Sequence, residues 1–136
     1  MSKYILLSLL FCVYLCSSQG KNCEVFYNSI PLFAIDENTE MEISLMSGFN
    51  DHIEIYYNRK EIVSKYFREN KVTGYTTSIK LKKKSFKKPN ELVVLLKKNR
   101  QKLVVNLNNN YNFLRIFYSN KKWTLHYDNE DVVLEQ

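Results

Sequence analysis

Apolar and polar residues alternate along most of this chain. Met41, Ile43 and Leu45 are separated by Glu42 and Ser44, and Ile53, Ile55 and Tyr57 by Glu54 and Tyr56. A period of two places alternate side chains on one face, the pattern of a half-buried strand. Glu24–Tyr27 begins a similar run that reaches Leu32 and Phe33. Ile62–Phe67, Gly74–Leu81, Phe113–Tyr118, Trp123–Tyr127 and Val132–Leu134 read as further strands. The segments between them, such as Asp36–Thr39, Ser47–Asp51, Asn58–Lys60 and Ser119–Lys121, have turn composition.

Two runs break the alternation. Leu92–Leu96 and Leu103–Leu107 are continuously apolar and flank the polar stretch Lys97–Lys102. They predict a hairpin in the middle of a sheet, buried more completely than its neighbours. Pro89 cannot donate to a sheet ladder and belongs to the loop before that hairpin. About nine or ten short strands at roughly 8–12-residue spacing predict an all-β sandwich or barrel, with antiparallel pairing favoured by the short connections. Its expected core is Ile43, Leu45, Ile53, Ile55, Val93, Leu95, Val104, Leu114, Ile116 and Leu125.

The first residues follow another rule. Lys3 precedes the uncharged apolar run Tyr4–Leu15, and Ser18 and Gly20 supply small residues. This pattern predicts a secretory signal peptide over 1–20, cleaved after Gly20, and one domain over 21–136. The apolar run is short of the roughly 20 residues a spanning helix needs, so no transmembrane span is expected in the mature chain. Cys12 and Cys16 would leave with the leader, and Cys23 would remain as the mature chain's one cysteine. Such a residue is a candidate for an intermolecular disulfide, so monomer and disulfide-linked dimer both remain open. No Asn-x-Ser/Thr acceptor for N-glycosylation occurs.

The chain carries 20 Lys and Arg against 14 Asp and Glu. Lys80, Lys82, Lys83, Lys84, Lys87 and Lys88 precede the central hairpin, and Lys97, Lys98, Arg100 and Lys102 occupy its connection. Gathered at one edge, they would attract polyanions. In a secreted protein the partner is a sulfated glycan, an acidic lipid or an acidic protein surface before nucleic acid. Edge lysines also discourage strand-to-strand aggregation, the plainer reading. His52 and His126 each sit on an alternating strand, and no nucleophile elbow or metal-ligand spacing accompanies them. Asp51 and Glu54 read as loop and strand charges rather than a catalytic carboxylate pair. The expectation is a non-enzymatic protein with no metal and no cofactor.

Four stretches bear on the fold family. They are Met41–Leu45 with Asn50–Arg59, then Ile62-Val63, Phe86–Val94 and Leu103–Leu107. Their order resembles the galectin-like jelly roll among lectin-type β-sandwiches. The resemblance implies a jelly-roll-like antiparallel sandwich and carbohydrate binding. It also implies a sugar site at Asn58 and Arg59, with Tyr75 as a substitute stacking ring; among the chain's aromatics Trp123 is a further candidate to stack on sugar. Tyr56 stands where galectins carry a sugar-binding His, and no Trp-Gly-x-Glu stretch is present. Two functions are therefore expected: glycan binding at Asn58, Arg59, Tyr75 and Trp123, or binding of a protein or polyanion through Lys82–Lys88 and Lys97–Lys102.

Overall fold

The structure is a computed structural model that describes residues 22–36, 38–83 and 90–130, and the backbone of residues 16–18. The cleavage point after Gly20, Lys84, Lys87, Lys88 and Val132–Leu134 lie outside the described residues. Ten strands form among the described residues: β1 (Cys16–Ser18), β2 (Cys23–Tyr27), β3 (Glu40–Leu45), β4 (Asp51–Tyr57), β5 (Lys60–Phe67), β6 (Thr77–Lys82), β7 (Glu91–Leu96), β8 (Gln101–Asn106), β9 (Phe113–Ser119) and β10 (Lys122–Asp128). One sheet has the order β1-β8-β7-β4-β5 and the other β2-β10-β9-β3-β6. Side chains from both sheets meet in one core, among them Ile43, Leu45, Phe49, Ile53, Ile55, Leu92, Leu103, Leu114, Ile116 and Trp123. The protein is an all-β sandwich.

The strands follow the alternation closely. In β3, β9 and β10, and in β4 as far as Ile55, every second residue is buried. The central hairpin is confirmed, with β7 and β8 antiparallel and Val93 opposite Val104. Its inward face differs from the expected one. Leu92, Val94, Leu96, Leu103 and Val105 are buried, whereas Val93, Leu95 and Val104 are half-exposed on the outer face. A continuous apolar run has no alternation to declare its inner side, and a shift of one residue exchanges the faces.

Two pairings are parallel rather than antiparallel: β10 with β2, and β3 with β9. Both join strands far apart in sequence, where no short connection imposes reversal. The run from Glu24 stops at Tyr27, and Ile30–Ile35 form a loop in which Phe33 is 100% exposed. That loop is pinned, because Leu32 donates its N–H to Asn110 O at 2.8 Å and Asn110 Nδ2 donates back to Leu32 O at 2.7 Å.

Hairpin chemistry fixes the connections. Asn58 (φ 45°) and Arg59 (φ 69°) join β4 to β5, and Asn120 (φ 51°) and Lys121 (φ 62°) join β9 to β10. Two successive left-handed residues match the strand twist, and Asn accepts this backbone more readily than most residues. Between β3 and β4 the chain crosses from one sheet to the other. There Tyr118 donates its N–H to Ser47 O at 3.1 Å, and Gly48 adopts φ +93°. A Cβ on Gly48 would lie 1.6 Å from Tyr118 O.

Gly48→Ala is therefore expected to destabilise the fold by roughly 3 kcal/mol or more, since backbone strain and a clash with a carbonyl oxygen combine. Gly74 also has positive φ, but a Cβ added there would meet nothing within 4 Å. Gly74→Ala should cost about 1–2 kcal/mol, the left-handed backbone penalty alone. Denaturant unfolding of the two variants measures the difference.

Candidate functional site

Strand direction sorts the connections into two poles. At one, here the Asp51 pole, lie the β3–β4, β5–β6, β7–β8 and β9–β10 connections. At the other, the Asn58 pole, lie the β2–β3, β4–β5, β6–β7 and β8–β9 connections. A strand of six to eight residues separates them by about 20–25 Å.

Asp51 organises the first pole. It is 0% exposed at the start of β4. Its Oδ1 accepts the Lys98 N–H at 2.7 Å, and its Oδ2 accepts the Asn99 N–H at 3.0 Å and the Asn99 side-chain amide at 2.9 Å. Burial pushes the Asp51 pKa up, but the hydrogen bonds from Lys98 and Asn99 outweigh it and hold the carboxyl below its ordinary value. The hairpin connection has no glycine, and Arg100 supplies its left-handed residue at φ 52°. A carboxylate from the neighbouring strand thus shapes the turn by collecting its N–H groups.

The other acids at this pole are also engaged internally. Glu69 Oε2 accepts the Gly48 N–H at 3.0 Å, and its Oε1 accepts Asn50 Nδ2 at 3.2 Å. Glu54 pairs with Lys97 at 3.3 Å and accepts the Tyr56 hydroxyl at 2.8 Å. Glu24 pairs with Lys122 at 2.6 Å. Lys98, Arg100 and Lys121 are exposed and make no ion pair among the described residues. Arg68 lies 5.7 Å from the Tyr66 ring centroid at the end of β5. The pole presents cations outward, while Asp51 and Glu69 hold its loops together and Glu54 and Glu24 pair with Lys97 and Lys122.

The sequence-predicted residues divide differently from expectation. Lys97, Lys98 and Arg100 are exposed at the Asp51 pole, as the basic-patch reading requires. Lys82 is exposed at the opposite pole, paired across the ladder with Glu40. Lys83 is only 3% exposed, with its Nζ 2.6 Å from Asn112 Oδ1. The expected single patch is thus split by the length of the sandwich, because β6 runs away from the end where the hairpin turns.

The residues of the resemblance are not brought together. Asn58 and Arg59 form the tight β4–β5 turn, and Asn58 Oδ1 accepts the Glu91 N–H at 2.7 Å. Tyr75 lies in the β5–β6 connection at the other pole, its hydroxyl bonded to Ser78 Oγ at 3.1 Å. Trp123 is 0% exposed, with its ring 4.8 Å from Tyr118 and 6.0 Å from Phe49, so it cannot stack on a ligand. The signal was in the sequence: Trp123 is two residues from Leu125, a core candidate, and shares its face. Cys23 is disulfide-bonded, and the chain's other cysteines are Cys12 and Cys16. Cleavage after Gly20 would remove both, so an intermolecular bond at Cys23 presupposes that cleavage.

Each histidine has a local side-chain partner. His52 Nε2 lies 3.1 Å from Ser64 Oγ. His126 stacks on Phe26 at 5.0 Å and meets Asn28 Nδ2 at 3.1 Å, while burial and the Arg115 charge lower its pKa. Arg115 pairs with Asp128 at 3.2 Å, and Asp128 also accepts the Ser29 hydroxyl. Among the described residues no group of His, Cys, Asp and Glu could hold a metal ion. No described helix is long and apolar enough to cross a membrane. Comparison with protein-family models, curated proteins and solved structures finds no match.

Asp51 sets a pH dependence. Its folded pKa is depressed, so its contribution to stability is complete above the ordinary carboxylate value of about 4 and is lost as pH falls through the lower folded value. Asp51→Asn is expected to lower stability at pH 7 by about 1–3 kcal/mol and to flatten the stability profile below about pH 4. Denaturant titrations at a series of pH values measure both effects.

Proposed function

We propose that the protein is a secreted, non-enzymatic binding module that attaches to a polyanionic partner through the Asp51 pole. The observation carrying this reading is the outward set Lys98, Arg100 and Lys121 at a pole where Asp51, Glu69, Glu54 and Glu24 are each engaged within the fold. Unneutralised cations on turns at the same pole create a positive field that attracts and orients an extended anion. Secretion is supported by Lys3, the apolar run Tyr4–Leu15 and the small residues before position 21. The fold is read as jelly-roll-like because the chain passes repeatedly between two five-stranded sheets. The partner class is a sulfated glycan or an acidic protein surface.

This reading replaces the patch expected at Lys82–Lys88 with one built from two hairpin turns. Retention on immobilised heparin tests it. The triple variant Lys98→Gln, Arg100→Asn, Lys121→Asn keeps residues that tolerate left-handed backbone at the last two positions. At about 1 kcal/mol for each basic residue near an anionic surface, it should weaken binding on the order of a hundredfold. Lys82→Gln should bind like the parent. Affinity of the parent should fall steeply between 0.05 and 0.5 M salt, concentrations chosen to move the screening length from about 14 to 4 Å. Equal retention of parent and triple variant would remove the proposal.

A further inference from the structure

A second polar site lies at the Asn58 pole, on the outer face of the β2-β10-β9-β3-β6 sheet. A cleft of about 360 Å³ opens there between the β2–β3 connection and the β8–β9 connection. Its volume is at the small end of the range for ligand pockets. Its floor is one row across three strands: Lys80 on β6 faces Glu42 on β3, and Glu42 faces Phe113 on β9. Asn38, Thr39 and Glu40 form one wall and Asn112 the other.

The walls are fixed from behind. Glu42 donates its N–H to Asn112 O at 2.9 Å, and Asn112 donates its own N–H to Asn129 Oδ1 at 2.9 Å. The buried Lys83 ammonium donates to Asn112 Oδ1 at 2.6 Å and so sets which end of that amide is the oxygen. The Asn112 Nδ2 donor is left without a partner among the described residues. The Glu42 carboxylate and Lys80 ammonium also make no ion pair or hydrogen bond there, although they are directly opposite across the ladder.

The contents of the cleft select a ligand chemistry. Lys80 lies about one strand spacing, 4.8 Å, to one side of Glu42 and the β9 strand as far to the other, so the occupant must donate to Glu42 and accept from Lys80 on one side and Asn112 on the other. A hydroxyl group does both. Glu40 and Glu42 oppose a net anion, and Lys80 opposes a net cation, so the fitting ligand has no net charge. Phe113, whose ring centroid lies 5.7 Å from the Arg115 guanidinium carbon, offers an apolar edge beside these groups for the C–H face of a sugar ring. We infer that this cleft binds a neutral saccharide, with Glu42, Lys80 and Asn112 as its hydrogen-bonding groups and Lys83 as the residue that positions Asn112. This site is separate from the basic pole and does not depend on it.

An array of neutral glycans, read at 0.15 and 0.5 M salt, provides the test. The parent protein should bind at least one neutral glycan with little loss at high salt, because hydrogen bonds to an uncharged ligand are not screened as ion contacts are. Glu42→Gln and Lys80→Met alter half-buried or exposed side chains and should each weaken that binding at least tenfold. In amide NMR spectra, titration with the bound glycan should move the resonances of Glu42, Lys80 and Asn112. Lys83→Met, close to lysine in length, should weaken the glycan while leaving heparin retention unchanged. Absence of any neutral glycan on the array overturns the inference, as does glycan binding that Glu42→Gln and Lys80→Met leave intact. Loss of heparin retention in the Lys98, Arg100, Lys121 variant with glycan binding preserved would keep the two sites distinct.

Discussion

The buried carboxylate of Asp51 is the constraint on which one whole end of the molecule depends. A charged group removed from water must be met by donors, and here the donors are the N–H groups of Lys98 and Asn99 and the Asn99 amide. The contact joins the segment that crosses between sheets to the turn of the central hairpin. It holds the β7–β8 connection in shape without a glycine. The crossing segment is held from its other side by Tyr118 and by Glu69, so the β5–β6 and β9–β10 connections meet at the same place.

That arrangement has an electrostatic consequence. The acids at this pole act as structural acceptors or partners in local ion pairs, and the excess of basic residues is turned outward. A net charge of +6 says only that cations exceed anions over the whole chain. The internal use of Asp51 and Glu69 is what leaves that excess on two hairpin turns of the same pole. At the opposite pole the acids Glu40 and Glu42 remain on the surface beside Lys80 and Lys82, and the chemistry there is mixed rather than positive.

Asparagine fills many of the positions that glycine and proline take elsewhere. The chain has only 3 Gly and 2 Pro. Asn58, Asn90 and Asn120 take left-handed backbone. Other asparagine contacts tie loops to strands: Asn90 Nδ2 to Leu107 O at 2.8 Å, Asn110 Nδ2 to Leu32 O at 2.7 Å and Asn129 Nδ2 to Ile30 O at 2.7 Å. The side-chain amide both donates and accepts, so it can satisfy backbone groups that leave the ladders. An abundance that composition alone could attribute to coding bias has a structural use at these positions.

A period of two and local backbone preferences were enough to place most of the strands, their turns and most of the buried face. Trp123 belonged to that legible part through its spacing from Leu125. Three matters were decided only in the folded molecule. The inward side of the Leu92–Leu96 and Leu103–Leu107 runs depended on packing, since both of their faces are apolar. The separation of Lys82 from Lys98 depended on strand direction, and the separation of Asn58 from Tyr75 on which ends of the sandwich they occupy. Burial of Lys83 beside Asn112 depended on a contact between residues 29 positions apart. Periodicity is a property of neighbours along the chain, whereas a site is made by strand ends that meet across it, and no local pattern encodes that meeting.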